Sequence, residues 1–577
     1  MKQLVTTFII ISLYFQVNSQ NVQDLFTVNS PGEEIHLTIE NDTSGNIFLA
    51  GTFYYPRHGG GSPLNLFIEK RDSLNQLQWR VQSNNPSANY NIQFNDMAVD
   101  LLGNAYLVGM YKGDTMTLGG HVLRSNPGLS LDFFVTKINP QGQVEWLIGP
   151  NPNESFPSHR LSGKITVTQS QQILISGSFF RQMTIGNTVL PGNPNVATAG
   201  NPFAPCGFLA KISPSGSFSW AKQYEVLNSR GGNGGAALGQ IISDPYNNYY
   251  NHVTLDSGIV IGTDTILSTD TTGWSDICSI VKFDSLGNLI TSKILQAPIS
   301  QIKDMTLDRC GNLLVLGNFQ GTMQIDQFIV STASGRNAFV AKFDTNLNCI
   351  WLKSYGSTAG DRVGGIVCNR WNEIFFNFDF WGTINFETTH TPSPNAVLDV
   401  ALVKLDSNGN YIWSTHTNGT GVGYLSALDL SISNSQQPIF LGSFRGEQQI
   451  QGITFQSAIP TESDPLFGLF NDSTLLPGEV YCNGDTTSGT LNGIHDFKIS
   501  PPSTFKVYPN PNEGQFQLEI PESYLGKTFQ LSNISGQIIF SFVALDYQTH
   551  FSSIDLPQGI YFITCTSTHE VSKVIVQ

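Results

Sequence analysis

Charged residues are scarce in this chain, and basic residues are the scarcer kind. Only 13% of its 577 residues are Asp, Glu, Lys or Arg, and 44 acids against 29 bases give a formal net charge of −15. Proteins that bind nucleic acid neutralise backbone phosphates with a dense basic surface. The composition excludes a broad surface of that kind, and we expect no nucleic acid partner.

Long hydrophobic runs and helical periodicity are also missing. After the first residues, no segment approaches the ~18 consecutive apolar residues of a membrane-spanning helix, and no long stretch repeats apolar residues at helical spacing. The chain is nevertheless 40% hydrophobic and 11% aromatic, with 55 glycines and 28 prolines. It can bury a sizeable core of strands and turns, which predicts an all-β protein without a transmembrane span.

Motifs for metals and phosphates are absent as well. The cysteines form no CxxC pair and no Cys/His spacing suited to zinc, the histidines include no HExxH, and the glycine clusters at 59–61 and 231–235 lack the lysine of a phosphate loop. We expect no cofactor and no metal. The odd cysteine count leaves at least one thiol outside any disulfide, and the sequence leaves open which of the others pair. The seven are Cys206, Cys278, Cys310, Cys349, Cys368, Cys482 and Cys565.

The first 19 residues have the order of a secretory signal. Lys2 precedes an apolar run that ends near Phe15, and small or polar residues surround Ser19. We predict that residues 1–19 are a signal peptide, cleaved near Ser19, and that the protein is exported. A buried N-terminal strand or helix is the alternative.

Most of the chain, residues 20–475, consists of repeats. The stretch "KLDSNGNYIW" (404–413) has five relatives, and all of them except the copy that ends in Thr291 also end in Trp. The relatives lie at 70–79, 137–146, 211–220, 282–291 and 342–351. A second element of about five apolar or β-branched residues recurs seven times, at 44–53, 102–111, 170–179, 256–264, 310–319, 371–380 and 435–444. The inserts between the two elements are often hairpin-like, as at 183–192 and 448–457, so a unit holds about four strands, the content of a propeller blade.

The seventh unit lacks its last strand. The segment 467–473 corresponds to the Lys strand of the other units, and no Trp strand comes after it. Near the N-terminus, 24–34 resembles the segments that end the other units, such as 351–361. We predict that this segment completes the last unit and closes a seven-bladed β-propeller over residues 20–475. An open β-solenoid of the same units, which does not need the split, is the alternative.

The repeat resembles the bacterial propeller repeats written D-x-x-GN-x-Y-x-x-G-x-F followed by D-x-F-V-A-K-x-D-x-x-G-x-x-x-W. The segments "DFFVTKINPQGQVEW" (132–146) and "NAFVAKFDTNLNCIW" (337–351) match this pattern well. The resemblance implies the propeller architecture. It implies no activity, because members of such families serve unrelated functions.

The C-terminal region differs in composition from the repeats. A polar linker rich in glycine and proline spans about 476–504, and alternating strands separated by Asn, Gly and Pro turns predict a small β-sandwich at 505–577. The motifs resemble the C-terminal sorting domain of type IX secretion cargo from Bacteroidetes. The matching residues are Tyr508, Pro509, Asn510, Pro511, Gly514, Gly536, Leu556, Gly559, Ile560, Tyr561 and Lys573.

The sorting-domain resemblance implies a route of export. It implies that the type IX secretion machinery is a partner, that the protein passes through the periplasm, and that it is released or attached at the outer cell surface. A generic terminal β-sandwich that acts as a binding module is the alternative.

Two features of the repeats are candidate sites. Asp406, Asn408 and Asn410 alternate as in a cation loop, but no acid lies at a suitable distance after them, so we interpret them as turn residues. In the sixth unit, Phe378 replaces a glycine found at the same strand position in the other units, and Trp371 and Trp381 are near it. Exposed aromatic residues there could bind a glycan or a protein, with core packing as the alternative.

These observations favour a secreted or cell-surface scaffold for binding or adhesion rather than an enzyme, with an extracellular glycan or protein as its ligand. No catalytic residues are assigned. The alternative is an extracellular glycan-directed hydrolase or lyase with its site at the mouth of the propeller channel. Converging carboxylates or histidines at that mouth would favour the alternative.

Overall fold

The computed structural model describes strands in both the repeat region and the C-terminal region. The described residues are 20–27, 33–54, 64–83, 91–113, 115–124, 132–151, 163–179, 182–192, 206–226, 238–255, 258–267, 277–332, 335–357, 360–381, 384–386, 389–390, 399–416, 425–445, 447–450, 453–456, 463–472, 506–508, 516–520, 527–533, 538–544, 548–551, 556, 559–565 and 571–576. Within these ranges every regular element is a β-strand, which confirms the all-β prediction. None of the described segments is a helix long and apolar enough to cross a membrane. The predicted signal peptide (1–19) and linker (476–504) lie outside the described residues.

The chain divides into two compact units, residues 1–482 and 483–577. In the first unit, four antiparallel strands pair in the same order seven times, and we call each group of four a set. Strand β1 (Gln20–Thr27) comes first. Set 1 is β2 (Glu33–Asn41), β3 (Ile47–Tyr54), β4 (Leu64–Arg71) and β5 (Leu77–Gln82). Set 2 is β6 (Asn91–Val99), β7 (Ala105–Lys112), β10 (Asp132–Ile138) and β11 (Val144–Ile148), with the hairpin β8 (Thr115–Leu118) and β9 (His121–Arg124) inserted after β7.

Sets 3 and 4 have the same order. Set 3 is β12 (Lys164–Val167), β13 (Ile173–Phe179), β16 (Cys206–Ile212) and β17 (Phe218–Val226), with the inserted hairpin β14 (Met183–Ile185) and β15 (Thr188–Leu190). Set 4 is β18 (Leu238–Ser243), β19 (Tyr249–Leu255), β22 (Ile277–Phe283) and β23 (Leu289–Leu295), with the inserted hairpin β20 (Gly258–Ile261) and β21 (Asp264–Leu267).

Sets 5 to 7 complete the first unit. Set 5 is β24 (Ile299–Leu307), β25 (Leu313–Gln320), β28 (Asn337–Phe343) and β29 (Cys349–Tyr355), with the hairpin β26 (Thr322–Ile325) and β27 (Phe328–Ser331). Set 6 is β30 (Arg362–Cys368), β31 (Ile374–Phe380), β34 (Asp399–Leu405) and β35 (Tyr411–His416), with the hairpin β32 (Ile384–Asn385) and β33 (Thr389–His390). Set 7 is β36 (Leu425–Ile432), β37 (Pro438–Arg445), β40 (Ser463–Asp472) and β1, with the hairpin β38 (Glu447–Ile450) and β39 (Ile453–Gln456).

The N-terminal strand pairs as the sequence predicts. Strand β1 lies antiparallel to β40, with Leu25 opposite Gly468, so the two ends of the repeat region share one sheet. The hairpins predicted at 183–192 and 448–457 are also present.

One element of the predicted repeat is wrong. The repeat pattern predicts 256–264 as the second strand of the fourth unit, but this segment overlaps the inserted hairpin β20–β21. The second strand is β19, immediately before it. The error has a physical source: the apolar run at 258–261 followed by Gly262 has the same apolar-glycine order in a hairpin as in a second strand.

The first strands of the sets lie next to one another in chain order, and the last lies next to the first. The neighbours are β2 and β6, β6 and β12, β12 and β18, β18 and β24, β24 and β30, β30 and β36, and β36 and β2. A separate hydrophobic core lies between each pair of consecutive sets. The core between sets 7 and 1 includes Leu441 from one set and Ile39, Leu49 and Phe67 from the other. Each set therefore buries both of its faces against its neighbours.

Tryptophans of the repeat join a set to the next one in chain order. Trp79 and Trp146 donate their indole N–H to the carbonyl oxygens of Pro140 and Pro214 in the turn of the following set, at 2.9 and 3.1 Å. The turn glycines Gly142 and Gly216 pack against these two indoles. A Cβ built on Gly409 would lie 2.9 Å from the Trp351 ring, and the φ of +78° at this residue also favours glycine.

The second unit contains two sheets that share one core. One sheet has the order β41 (Lys506–Tyr508), β42 (Phe516–Glu519) and β45 (Gln548–Phe551), and the other β44 (Ile538–Val543), β43 (Thr528–Asn533), β46 (Gly559–Cys565) and β47 (Val571–Val576). Leu518 from the first sheet is buried in the same cluster as Phe529 and Ile563 from the second. The alternation of buried and half-buried residues in the first half of β43 is typical of a strand with one face in a core.

The cysteines outside any disulfide include Cys349 and Cys368, so the prediction of at least one such thiol is confirmed. Cys310 is disulfide-bonded.

The contact between glycine and tryptophan predicts a position-dependent cost of alanine. Gly409→Ala and Gly262→Ala both introduce a Cβ at positive φ, which costs about 1–2 kcal/mol. Only Gly409 has a ring against it, whereas nothing lies within 4 Å of a Cβ at Gly262. We expect Gly409→Ala to lower the free energy of unfolding by about 1–3 kcal/mol more than Gly262→Ala, because an added methyl overpacks the interface between sets. Urea unfolding of the two variants beside the parent measures the difference, and equal losses would show that the turn does not fasten the sets.

Candidate functional site

The first strands of all seven sets line a single cavity of about 550 Å³. Each first strand is followed by a turn, and the residue four positions before the first residue of that turn is equivalent in all seven sets. We call these seven residues the inner ring. They are Thr38, Asp96, Lys164, Gln240, Asp304, Gly365 and Asp429. All of them except the glycine line the cavity.

The three aspartates of the inner ring bind the neighbouring set. The Asp96 carboxylate accepts the backbone N–H of Ile165 at 2.9 Å and pairs with Lys164 at 3.2 Å. The Asp304 carboxylate accepts the N–H of Ile366 at 2.9 Å.

Asp429 closes the ring in the same way. Its carboxylate accepts the N–H of Ile39 at 3.2 Å and the hydroxyl of Thr38 in set 1. Its other oxygen accepts the N–H of Leu430 at 2.9 Å. Because the register of β36 against β37 shifts at this point, a β-bulge exposes backbone groups that the carboxylate then satisfies.

In sets 4 and 6, which have no aspartate at the ring position, a side chain of the same set accepts the backbone N–H of the ring residue. In set 6, Gly365 donates its N–H to the Asn377 side chain at 2.7 Å. In set 4, Gln240 donates its N–H to Nδ1 of His252 at 3.0 Å, and a Cβ on Gly239 would collide with that ring. Burial lowers the pKa of His252 to about 4, with a further contribution from Lys164, so the imidazole is neutral and accepts this hydrogen bond.

Glu40 differs from the ring aspartates. It lines the cavity, but in the part of the chain that the structure describes no hydrogen bond or ion pair engages its carboxyl group. Confinement in the cavity raises its pKa well above the ordinary value, and the nearby Asp429, Asp96 and Asp304 raise it further. Glu40 is thus a carboxyl group that tends to keep its proton.

The other charges in the cavity respond to the same confinement. Burial, and then the charge of Asp429, raise the pKa of Asp304 to about 7. Burial opposes the charged form of Lys164, but Asp96, Asp304 and Asp429 outweigh it and raise the pKa. The pKa of Lys303 is lowered by burial and then by Lys164. Lys303 is exposed and Asp304 is half-buried, and both line the cavity. The pKa shifts of these two residues therefore come from confinement in the cavity rather than from close packing against protein.

The turn that resembled a cation loop is held by its own hydrogen bonds. One oxygen of Asp406 accepts the backbone N–H groups of Asn408 and Asn410 at 2.9 and 2.8 Å, and the other accepts the Asn410 side chain at 2.8 Å. Asp284 and Asp344 make the same contacts in sets 4 and 5. The carboxylate acts in turn formation, as the repeat indicated.

The three candidate aromatic residues do not form one site. Trp371 and Trp381 lie just before and just after β31, whose seven residues separate them by about 20 Å or more. Phe378 is fully buried within that strand, stacked on Phe376. A ligand cannot reach Phe378, so core packing accounts for it.

The burial of Phe378 is explained by the small residue opposite it on the neighbouring strand. In sets 2 and 5 a second-strand glycine faces a third-strand phenylalanine, and a Cβ on Gly317 would lie 2.6 Å from the Phe339 ring. In set 6 the order is reversed, because Phe378 faces Ala401. The substitution therefore fills the same space from the other side.

Trp381 lies in an open groove between sets 5 and 6. It is half-exposed, and the guanidinium of Arg362 lies 5.6 Å from its ring centroid. The groove has a volume of about 730 Å³, within the range of ligand sites, which is about 300–1,000 Å³. Its lining residues are Gln301, Asn318, Arg336, Gly360, Asp361, Arg362 and Trp381.

The sorting-motif residues fall partly inside the described residues. Tyr508 ends β41, Gly559 begins β46, Tyr561 is buried in β46, and Lys573 belongs to β47. Leu556, also among the matching residues, is buried. Pro509, Asn510, Pro511, Gly514 and Gly536 lie outside the described residues.

The inner ring and the arginines of the groove were not found from the sequence. A signal for the ring was present, because Asp96, Asp304 and Asp429 each stand four residues before a turn-forming Asp or Ser. For Arg336 and Arg362 no signal was available, since Arg336 lies just before β28 and Arg362 begins β30, and these two segments meet only in the folded chain.

Comparison with known proteins identifies the C-terminal region. Residues 506–577 match the secretion system C-terminal sorting domain family, which confirms the sorting-domain prediction. A domain of this kind implies export to the cell surface or the extracellular space. No curated protein matches the sequence.

Several solved structures are similar to the chain at low identity. An ulvan lyase, described as a polysaccharide lyase, is 9% identical with a TM-score of 0.39 over 78% of this chain and 96% of its own. The β-propeller domain of the trilobed protease from Pyrococcus furiosus is 7% identical with a TM-score of 0.36, over 75% and 98% of the two chains. PorZ, a surface component of the type IX secretion system of Porphyromonas gingivalis, is 9% identical with a TM-score of 0.18, over 96% and 100%. At these scores the similarities carry no argument about this chain.

The raised pKa of Asp304 predicts how stability depends on pH. Above about pH 5 this residue is ionised in the unfolded chain, whereas the folded protein keeps the proton up to about pH 7. Folding therefore takes up protons in this range, and the free energy of unfolding falls as pH rises from 5 to 8. Asp304→Asn removes this titration, so the stability of the variant relative to the parent should rise over the same interval.

A matched control is Asp284→Asn. The pKa of Asp284 lies below its ordinary value: burial opposes the shift, and hydrogen bonds from Asn288 and Leu286 outweigh it. It is ionised in both states from pH 5 to 8, so this control should differ from the parent by a constant amount. Urea unfolding at several pH values measures both, and an unchanged slope for Asp304→Asn would contradict the assignment.

Proposed function

We propose that the protein is a secreted or cell-surface seven-bladed β-propeller that serves as a non-enzymatic scaffold for binding or adhesion. Each set is one blade. The proposal is supported by the order of neighbouring first strands, by the contact between β36 and β2, and by β1 as the fourth strand of set 7. An open solenoid would leave a face of set 7 uncovered, whereas the core shared with set 1 covers it.

The observation that carries binding rather than catalysis is the use of the channel carboxylates. Both oxygens of Asp96, Asp304 and Asp429 accept hydrogen bonds or an ion pair from the protein itself. A general acid or base must reach a proton on the substrate. Carboxylates committed to backbone N–H groups of the next blade hold the ring together instead.

Export through type IX secretion is the second part of the proposal. The match of residues 506–577 to the sorting-domain family supports it, as does the predicted signal at residues 1–19. We assign this region as a small β-sandwich, because residues of both sheets fill one core. The secretion machinery then delivers the propeller to the outer surface or releases it.

A second candidate function is a glycan-directed hydrolase or lyase at the channel. Carboxylates do converge there, and Glu40 has a raised pKa and no partner among the described residues. A raised pKa suits a general acid. Glu40→Gln is the variant that separates the two functions.

The export proposal predicts the fate of a truncated protein. In a bacterium with type IX secretion machinery, the chain lacking residues 506–577 should accumulate inside the cell envelope, while the full chain reaches the surface or the medium. Trp371→Ala in the full chain is the control, because it alters the propeller and keeps the sorting domain. Immunoblots of the fractions measure the distribution, and normal export of the truncated chain would sink the proposal.

The binding proposal predicts a negative result in an activity screen. The full chain should bind glycans on an array, and it should release no reducing ends or unsaturated products from the same glycans. Turnover that is lost in Glu40→Gln would establish the enzyme in its place.

A further inference from the structure

We infer that the groove beside Trp381 binds an acidic saccharide, a sugar unit that carries a carboxylate or a sulfate. This inference rests on the proposed binding function and names its ligand class. It begins from the charge of the groove. Arg336 and Arg362 both line it, and across the described residues neither guanidinium forms an ion pair.

The acid in the groove does not neutralise these arginines. Asp361 is only 2% exposed, and its two oxygens accept the N–H and the hydroxyl of Ser357 at 2.9 and 2.7 Å. Burial raises its pKa to about 6. The carboxyl group faces its own loop and leaves the guanidinium groups available.

A second acid, Asp379, lies near Arg362 but is sealed in the core. It is 1% exposed and accepts hydrogen bonds from Ala427 and Ser426 at 2.5 and 2.8 Å. Burial raises its pKa to about 7, although Arg362 acts to lower it. Near neutral pH it carries only part of a charge, so Arg362 keeps a net attraction for an anion in the groove.

The remaining groups of the groove match a sugar ring. Trp381 presents an aromatic face on which the C–H side of a pyranose can stack. The guanidinium of Arg362 lies against the indole ring of Trp381, so it is close to a sugar bound there. The side chain of Asn318 is fixed by hydrogen bonds to the carbonyls of Asn337 and Asp361, at 3.4 and 3.1 Å. Gln301 is exposed beside it and supplies an amide for hydroxyl groups.

The position of the groove favours a saccharide over a peptide. A peptide that adds to a sheet needs an unpaired strand edge. The groove is lined by strand ends: Gln301 is near the start of β24, Asn318 is near the end of β25, and Trp381 comes directly after β31. The chain as a whole has a net charge of −15, so most of its surface repels anions. Two arginines without ion pairs among the described residues make this groove a local positive site that attracts them.

The test measures binding of the full chain to four probes: polygalacturonate, a sulfated glycan such as heparin, a neutral glucan and polyglutamate. We expect binding to one or both acidic glycans, weakened by salt as charge screening requires, and little binding to the glucan or the peptide. Trp381→Ala should weaken it by about tenfold or more, and Arg362→Gln and Arg336→Gln by about tenfold each. The carboxylated and sulfated probes distinguish which anion the arginines prefer.

Trp371→Ala is a matched control for the aromatic substitution. Trp371 also has a stacked arginine, Arg370 at 4.5 Å, but it lies at the opposite end of β31. Binding of the acidic glycans should survive this change. Circular dichroism and the urea midpoint of each variant show whether the fold is retained. Arg362→Lys keeps the positive charge, so it should bind the acidic glycans more tightly than Arg362→Gln does.

The failures of the two proposals are distinguishable. Equal binding of the neutral glucan, or preference for polyglutamate, overturns the acidic saccharide and leaves a binding scaffold. Binding that Trp381→Ala leaves intact overturns the groove as its location. Cleavage of an acidic glycan that depends on Glu40 overturns the non-enzymatic function itself.

Discussion

The rest of the structure depends on one constraint: a four-stranded set is apolar on both faces and cannot bury either face alone. The seventh interface, between sets 7 and 1, is therefore as necessary as the other six. It forms because the N-terminal strand joins set 7, which ties the two ends of the repeat region into one sheet. Contacts of this kind join residues some 440 positions apart, such as Leu25 and Gly468. The stability of any one set thus depends on all seven sets.

The contact between a tryptophan of one set and a turn glycine of the next explains why these two positions of the repeat change together. Turn glycines face a tryptophan of the preceding set, as Gly142 faces Trp79. The fourth copy of the repeat has Thr291 in place of tryptophan, and the facing turn has Leu347 in place of glycine. Leu347 is fully buried at a φ of +64°, in the core that sets 4 and 5 share. A bulky side chain on the turn fills the space that the indole fills elsewhere, and it does so despite the strain of positive φ.

Much of the fold could be predicted from the sequence because its determinants repeat. The turn at Asp406 was predictable because the same residues recur at the same position in other copies of the repeat. The N-terminal strand of set 7 was predictable because the seventh copy of the repeat lacks its last strand. The inner ring was not, because Asp304 acts on the backbone of Ile366 in the next set and no local pattern shows which strands will touch. The second strand of set 4 was misplaced for a related reason: a hairpin with an apolar run and a glycine has the same local chemistry as a strand. Local sequence therefore predicts where strands and turns occur, whereas the position of a strand within its set depends on contacts that form only in the folded chain.

The sixth set shows why a departure from a repeat is weak evidence for a site. Phe378 is the most visible exception in the sequence, yet it exchanges volume with Ala401 and belongs to the core. Core positions change in compensating pairs, because close packing penalises both gaps and overlaps. Residues just beyond a strand end, such as Trp381 and Arg336, have no such partner and can change without disturbing the packing of the set. A binding surface on this scaffold should therefore be sought where strands end, and the irregularities inside the strands should first be tested for a compensating neighbour.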